Sequence, residues 1–228
     1  MIMTQGGAAA ALLLADSWFP AGNHAHSGAM EAAVASGAVT DLASAARFLR
    51  GRLATAGATA AGLAAAACAR APDGIWARLD AEADARTPSP AQRAASRRQG
   101  RTLLRSARAA WPAPWLDVLS RAPQAPPHHP IALGAAAAAA GCGPQAAALA
   151  AAYLAVTGPA SAAVRLLALD PIAVSAAAAR LADEIEQIAA AAAARAAGPL
   201  DELPFPSSPA LDLLAEAHAR AEVRLFAS

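Results

Sequence analysis

The chain has 228 residues and a formal net charge of +1, with 18 Lys and Arg against 17 Asp and Glu; 57% of it is hydrophobic but only 4% aromatic. So even a balance gives no general field for attracting nucleic acid or an anionic membrane, and the length fits one large domain or two small ones. Alanine dominates the apolar class, Val and Ile are sparse, and no stretch alternates strictly, so the expected fold class is all-α: a single domain over 1–228, an array of about eight to ten short-to-medium helices.

Helix one is expected over Ala8 to Ala15. It enters a turn crowded with Asp16, Ser17, Pro20, Gly22, Asn23, His24, His26 and Ser27; helix two is expected to begin near Ser27, with helical character evident at Met30 and Glu31, and to stop at Gly37. Thr40 reads as an N-cap with Asp41 against the helix dipole, and Leu42, Ala46, Leu49 and Leu53 recur on one face. Gly51, Gly57 and Gly62 weaken the reading of an unbroken rod to Arg70.

Ala71 to Gly74 forms a break, and a helix from Ile75 ends before Thr87 to Pro90. Ala91 to Ala110 reads as a long helix stopped by Trp111 and Pro112, with Arg97, Arg101, Arg105 and Arg108 along one face. Residues Arg121 to Pro130 hold four prolines and are read as irregular. Pro130, Pro144, Pro159 and Pro171 each sit where a new helix would start, and a helix capped by Asp170 is expected to reach about Ala197, closed by Gly198. A proline-rich connector from Pro199 to Pro206 leads to a last amphipathic helix with Leu211, Leu214, His218 and Leu225 along one side.

Ile131 to Val164 carries no charged side chain, long enough to cross a bilayer. Its glycines and prolines divide it, so two or three buried helices and no membrane span are expected. Cys68 and Cys142, far apart and in no CxxC arrangement, suggest reduced thiols in a cytoplasmic protein, and the N-terminus lacks the basic region of a signal peptide.

Four blocks together resemble the UreF family of urease accessory proteins, in its actinobacterial-type branch. They are Leu12 to Ser17 with Pro20, Gly22, His26, Ser27 and Glu31; Ala95 to Gly100; His128 to Gly134; and Glu222 with Arg224, Leu225, Phe226 and Ser228. The resemblance implies an all-α homodimer that does no chemistry itself and needs no cofactor. It implies a scaffold that bridges UreD (also called UreH) to the GTPase UreG, so that nickel enters apo-urease. It further implies that a flexible tail over 222–228 orders when UreD binds.

Partner-binding is accordingly assigned to Asp16, Pro20, Gly22, His24, His26, Ser27, Glu31, Arg97, Arg98, Arg101, Arg224, Leu225, Phe226 and Ser228. An apolar pair beside a guanidinium has the composition of an interface anchor; the plainer reading docks Leu225 and Phe226 on their own domain. The pairs His24 and His26, and His128 and His129, have imidazoles that suit nickel or zinc, but no Cys or carboxylate joins them at ligand spacing, so they are read as hydrogen-bonding turn backbone and no metal site is assigned. Asp16, Ser17 and His26 contain the parts of a hydrolytic triad, compressed into eleven residues without a nucleophile elbow. A hydrolase, and a generic helical adaptor, stand as alternatives.

Overall fold

The computed structural model describes residues 7–16, 19–20, 25–121 and 125–227; across them the regular structure is helical, without a strand. Helix α1 (Gly7–Ala15) is followed by a turn in which Gly28 and Ala29 both take left-handed backbone, φ 59° and 72°, before α2 (Met30–Ala35). Helix α3 (Leu42–Arg52) starts at a capping box: Asp41 accepts from the Ser44 amide at 2.7 Å, and the Ser44 hydroxyl accepts from the Asp41 amide at 3.0 Å. The cap is therefore Asp41, one residue beyond Thr40, because its carboxylate reaches the third helical amide.

The glycine-interrupted stretch does not break. It passes through one π-helical turn, Leu53–Gly57, into α4 (Ala58–Ala69). After the turn at Ala71–Asp73 come α5 (Trp76–Ala85), α6 (Pro90–Ala110) and α7 (Pro114–Ser120). Ser89 caps α6, and Glu216 supports that end by accepting from the Ser89 hydroxyl at 2.6 Å and the Ala91 amide at 2.9 Å.

Helix α8 (His129–Ala139) and α9 (Pro144–Leu167) follow, then α10 (Pro171–Ala179), α11 (Ala182–Arg195) and α12 (Pro209–Arg220). Two expectations are corrected here. Pro159 lies inside α9, and the stretch from Asp170 to Ala197 is split near Arg180, with Asp183 and Glu184 placed in the first turn of α11, where acidic side chains favour a helix start. Leu225 lies beyond α12 and is exposed, so it is not part of that helix's buried face.

Helices α4, α8 and α9 form the centre, with α11 against α4 and α9, α6 against α8, and α1 along α9. Alanine permits this density: Ala64 to Ala67 on α4 and Ala135 to Ala137 on α8 are buried. Where α4 and α8 cross, a Cβ on Gly134 would overlap the Ala64 carbonyl oxygen. Among the described helices α9 alone is long and apolar enough to cross a membrane, and 61% of its most apolar window is buried against the rest of the chain.

Pro159 is accommodated by a specific contact. It has no amide proton for the carbonyl four residues earlier, Ala155, and that oxygen instead accepts from Arg52 Nε at 3.2 Å. Gly28 lies over both partners: a Cβ there would stand 2.9 Å from Pro159 Cγ and 3.0 Å from Arg52 Cζ.

Candidate interaction site at the docked C-terminal tail

The turn before α2, the arginine helix α6 and the C-terminal tail converge. Ser27 is fully buried, and its hydroxyl accepts from the Glu31 amide at 3.3 Å, which fixes the start of α2. The Glu31 carboxylate then holds the tail: Oε1 accepts from the Leu225 amide at 2.7 Å, and Oε2 from the Phe226 amide at 3.1 Å and His218 Nε2 at 2.7 Å. Burial alone would raise its pKa, but the Leu225 amide, the His218 side chain and the Phe226 amide outweigh it and hold the acid below its ordinary value.

Ala227 completes the attachment, its amide donating to the Ala25 carbonyl at 2.6 Å while its own carbonyl accepts from Arg98 at 3.2 Å. Phe226 is buried at 7% exposure, with the Arg165 guanidinium 4.9 Å from its ring centre. Val223 and Leu225 remain 85% and 71% exposed, and Arg224 is exposed between them. Phe226 thus docks on its own domain, while an apolar pair flanking a cation faces outward.

Helix α6 reaches the N-terminal turn as well. Ser106 donates to the Pro20 carbonyl at 2.7 Å, and Phe19 stacks on Trp111 at 5.4 Å. Asp16 is exposed after α1, its carbonyl accepting from the Phe19 amide at 3.3 Å. His26 is half-buried, and burial together with the nearby Arg98 charge lowers its pKa to about 4. Gly22, His24 and Ser228, and Ser17 of the triad reading, lie outside the described residues.

The arginine face divides. Arg97 turns onto α5, pairing with Asp80 at 2.8 Å and Asp84 at 2.7 Å, while Arg108 pairs with Asp117 at 2.6 Å. Arg101 and Arg105 are exposed and carry no ion pair among the described residues. The sequence reading missed what holds His128: Nε2 lies 2.9 Å from Asp84, Nδ1 3.1 Å from the Ser96 hydroxyl, and its amide donates to Asp80 at 3.0 Å. A neutral ring donating from Nε2 to Asp84 and accepting at Nδ1 from the Ser96 hydroxyl satisfies both ring contacts, in keeping with a pKa lowered chiefly by burial. These imidazole bonds run to side chains, where turn backbone was expected.

Asp80, Asp84 and His128 have ligand atoms within 4.8 Å of one another, a set that suits a cation by type. The Arg97 guanidinium already spans both carboxylates and Arg93 lies 3.8 Å from Asp84, so two guanidiniums answer the two acids, and the cluster pins the proline-rich segment to α5 and α6. Sequence spacing gave no sign of this pairing across 44 residues.

A model of the UreF family matches residues 39–182. The interval includes the blocks Ala95 to Gly100 and His128 to Gly134 and leaves out the N-terminal turn and the tail. A urease accessory protein UreF of Mycolicibacterium vanbaalenii is 48% identical over 143 residues, 62% of this chain and 65% of that protein. That of Mycobacterium sp. (strain JLS) is 48% identical over 142 residues, covering 62% and 64%, and that of Mycobacterium tuberculosis (strain H37Rv) is 44% identical over 146, covering 63% and 65%. The chain matches less than two thirds of the length of these relatives. With the family model covering well over half of its residues, the chain belongs to the UreF family.

Proposed function

We propose that this chain is a urease maturation scaffold that bridges UreD (UreH) to the GTPase UreG, so that nickel is inserted into apo-urease, and that it acts in the cytoplasm as a homodimer without a reactive centre of its own. The observation that carries the reading is the tail: anchored by Glu31 and Phe226, it presents Val223, Arg224 and Leu225 to solvent beside exposed Arg98, and Arg101 is exposed on the same helix as Arg98. An apolar pair with a guanidinium is the composition of a protein interface, and exposed cations steer association. The relatives are named urease accessory proteins, which supplies the pathway. Leu12 and Leu13 on α1, and Leu149 and Tyr153 on the adjoining α9, are exposed apolar side chains suited to the dimer contact.

Coexpression with UreD and UreG, followed by size exclusion with mass determination, tests partners and oligomer together. Removal of 222–228 is expected to leave helicity and dimerisation largely intact and to abolish copurification with UreD. Capture of UreD at full strength by the truncated chain would refute the tail's assignment.

A further inference from the structure

A cavity of about 360 Å³ lies between the turn before α2, the end of α3, the start of α8 and the tail. Among the described residues its lining carries four guanidiniums, of Arg52, Arg86, Arg98 and Arg224, against one side-chain carboxylate, that of Asp212. Arg86 is neutralised by Glu82, and Asp212 is engaged by Gln92 at 3.2 Å. Arg52 has no such partner: among the described residues it forms no ion pair, and its one hydrogen bond is from Nε to the Ala155 carbonyl. It is partly buried, and burial, with no opposing carboxylate among the described residues, lowers its pKa to about 10, so it stays charged at neutral pH. A partly desolvated cation without a counter-charge is costly to hold, and a guanidinium with four donors to spare is shaped to bind an oxyanion.

A second group points to the same space. His129 is half-buried and lines the cavity, and its Nε2, itself shielded from solvent, has no hydrogen-bond partner. Burial, with His26 beside it, keeps the ring neutral, lowering its pKa to about 4; Nε2 can then carry the proton and donate it to an anion. Apolar side chains, Leu63 and Leu154 among them, complete the walls, which suits a ligand with a short carbon stem.

We propose that this cavity is a binding site for a small oxyanion, a carboxylate or phosphate group, held by Arg52 and His129 with Arg98 and Arg224 at the mouth. The proposal stands apart from the urease assignment and requires no partner protein. Its test is titration of the full chain with inorganic phosphate, and separately with butyrate, at ionic strength held constant with sodium chloride, following the His129 ring resonances. Saturable shifts of that ring are expected for at least one anion, with Arg52→Gln weakening the apparent affinity at least tenfold.

Arg52 also supports α9, so exposed Arg98→Gln gives a second reading that does not depend on Arg52→Gln folding: a several-fold loss is expected there. Absence of a saturable shift with both anions, or equal affinity in whichever variants fold, would overturn the site.

Discussion

Glu31 shows how much one side chain can carry. Its carboxylate receives two tail amides and the His218 ring, and its side chain is only 13% exposed. Glu31→Gln keeps the shape but removes the charge that strengthens all three bonds, at a cost of roughly 1–3 kcal/mol. Exchange of the Leu225 and Phe226 amides is therefore expected to quicken about ten- to a hundredfold while α6 amides are unaffected; unchanged tail exchange would show that Phe226 alone anchors the segment. His129 sets a pH dependence. Its folded pKa of about 4 lies below the ordinary 6.5, so the unfolded chain takes up a proton that the folded protein refuses. Stability is complete above pH 6.5 and falls as pH drops from 6.5 to 4, by up to roughly 3 kcal/mol from this ring alone, and His26 acts in the same sense. Urea midpoints between pH 7 and pH 4.5 measure the slope, which His129→Gln is expected to flatten.

Close approach between elements has its own predictions. The crossing of α4 and α8 depends on Gly134, whose missing Cβ leaves room for the Ala64 carbonyl and the Ala67 side chain. Gly134→Ala is expected to cost about 2–3 kcal/mol in chemical denaturation. Gly158→Ala in α9 is the control: nothing lies within 4 Å, so it is expected to be neutral or to stabilise by about 0.5–1 kcal/mol. Equal effects would mean that the two helices tolerate separation. Most helix positions were legible in the sequence because caps and prolines are local signals. Asp170 and Pro144 mark their helices where expected, while Ser89, read as part of a break, caps α6. Helix α7 passed unread, being seven residues squeezed between a proline stop and a proline-rich segment. Pro159 misled for a different reason, since Arg52, which satisfies the Ala155 carbonyl that the proline leaves open, lies 103 residues away from that carbonyl along the chain.

For the molecule as a whole, composition indicated an all-helical body but not which surfaces meet. The turn, the arginine helix and the tail were each picked out from local chemistry; their convergence on Glu31 and Ala227 is a property of the fold alone. Of the arginines singled out on α6, Arg98 faces the tail and Arg97 is spent on Asp80 and Asp84, a distinction that helical spacing cannot make for adjacent residues. The thiols behave as composition suggested: Cys68 and Cys142 are free and buried, and burial pushes Cys68 up to about 12, which keeps it protonated at neutral pH.

The bond from Arg52 to Ala155 ties the history of two distant positions together. A chain that exchanged Pro159 for alanine would regain its own amide for that carbonyl and release Arg52 from this duty; one that lost Arg52 first would strand the oxygen. Substitutions at these sites are therefore order-dependent, and lineages that diverge here are expected to change the proline before, or along with, the arginine.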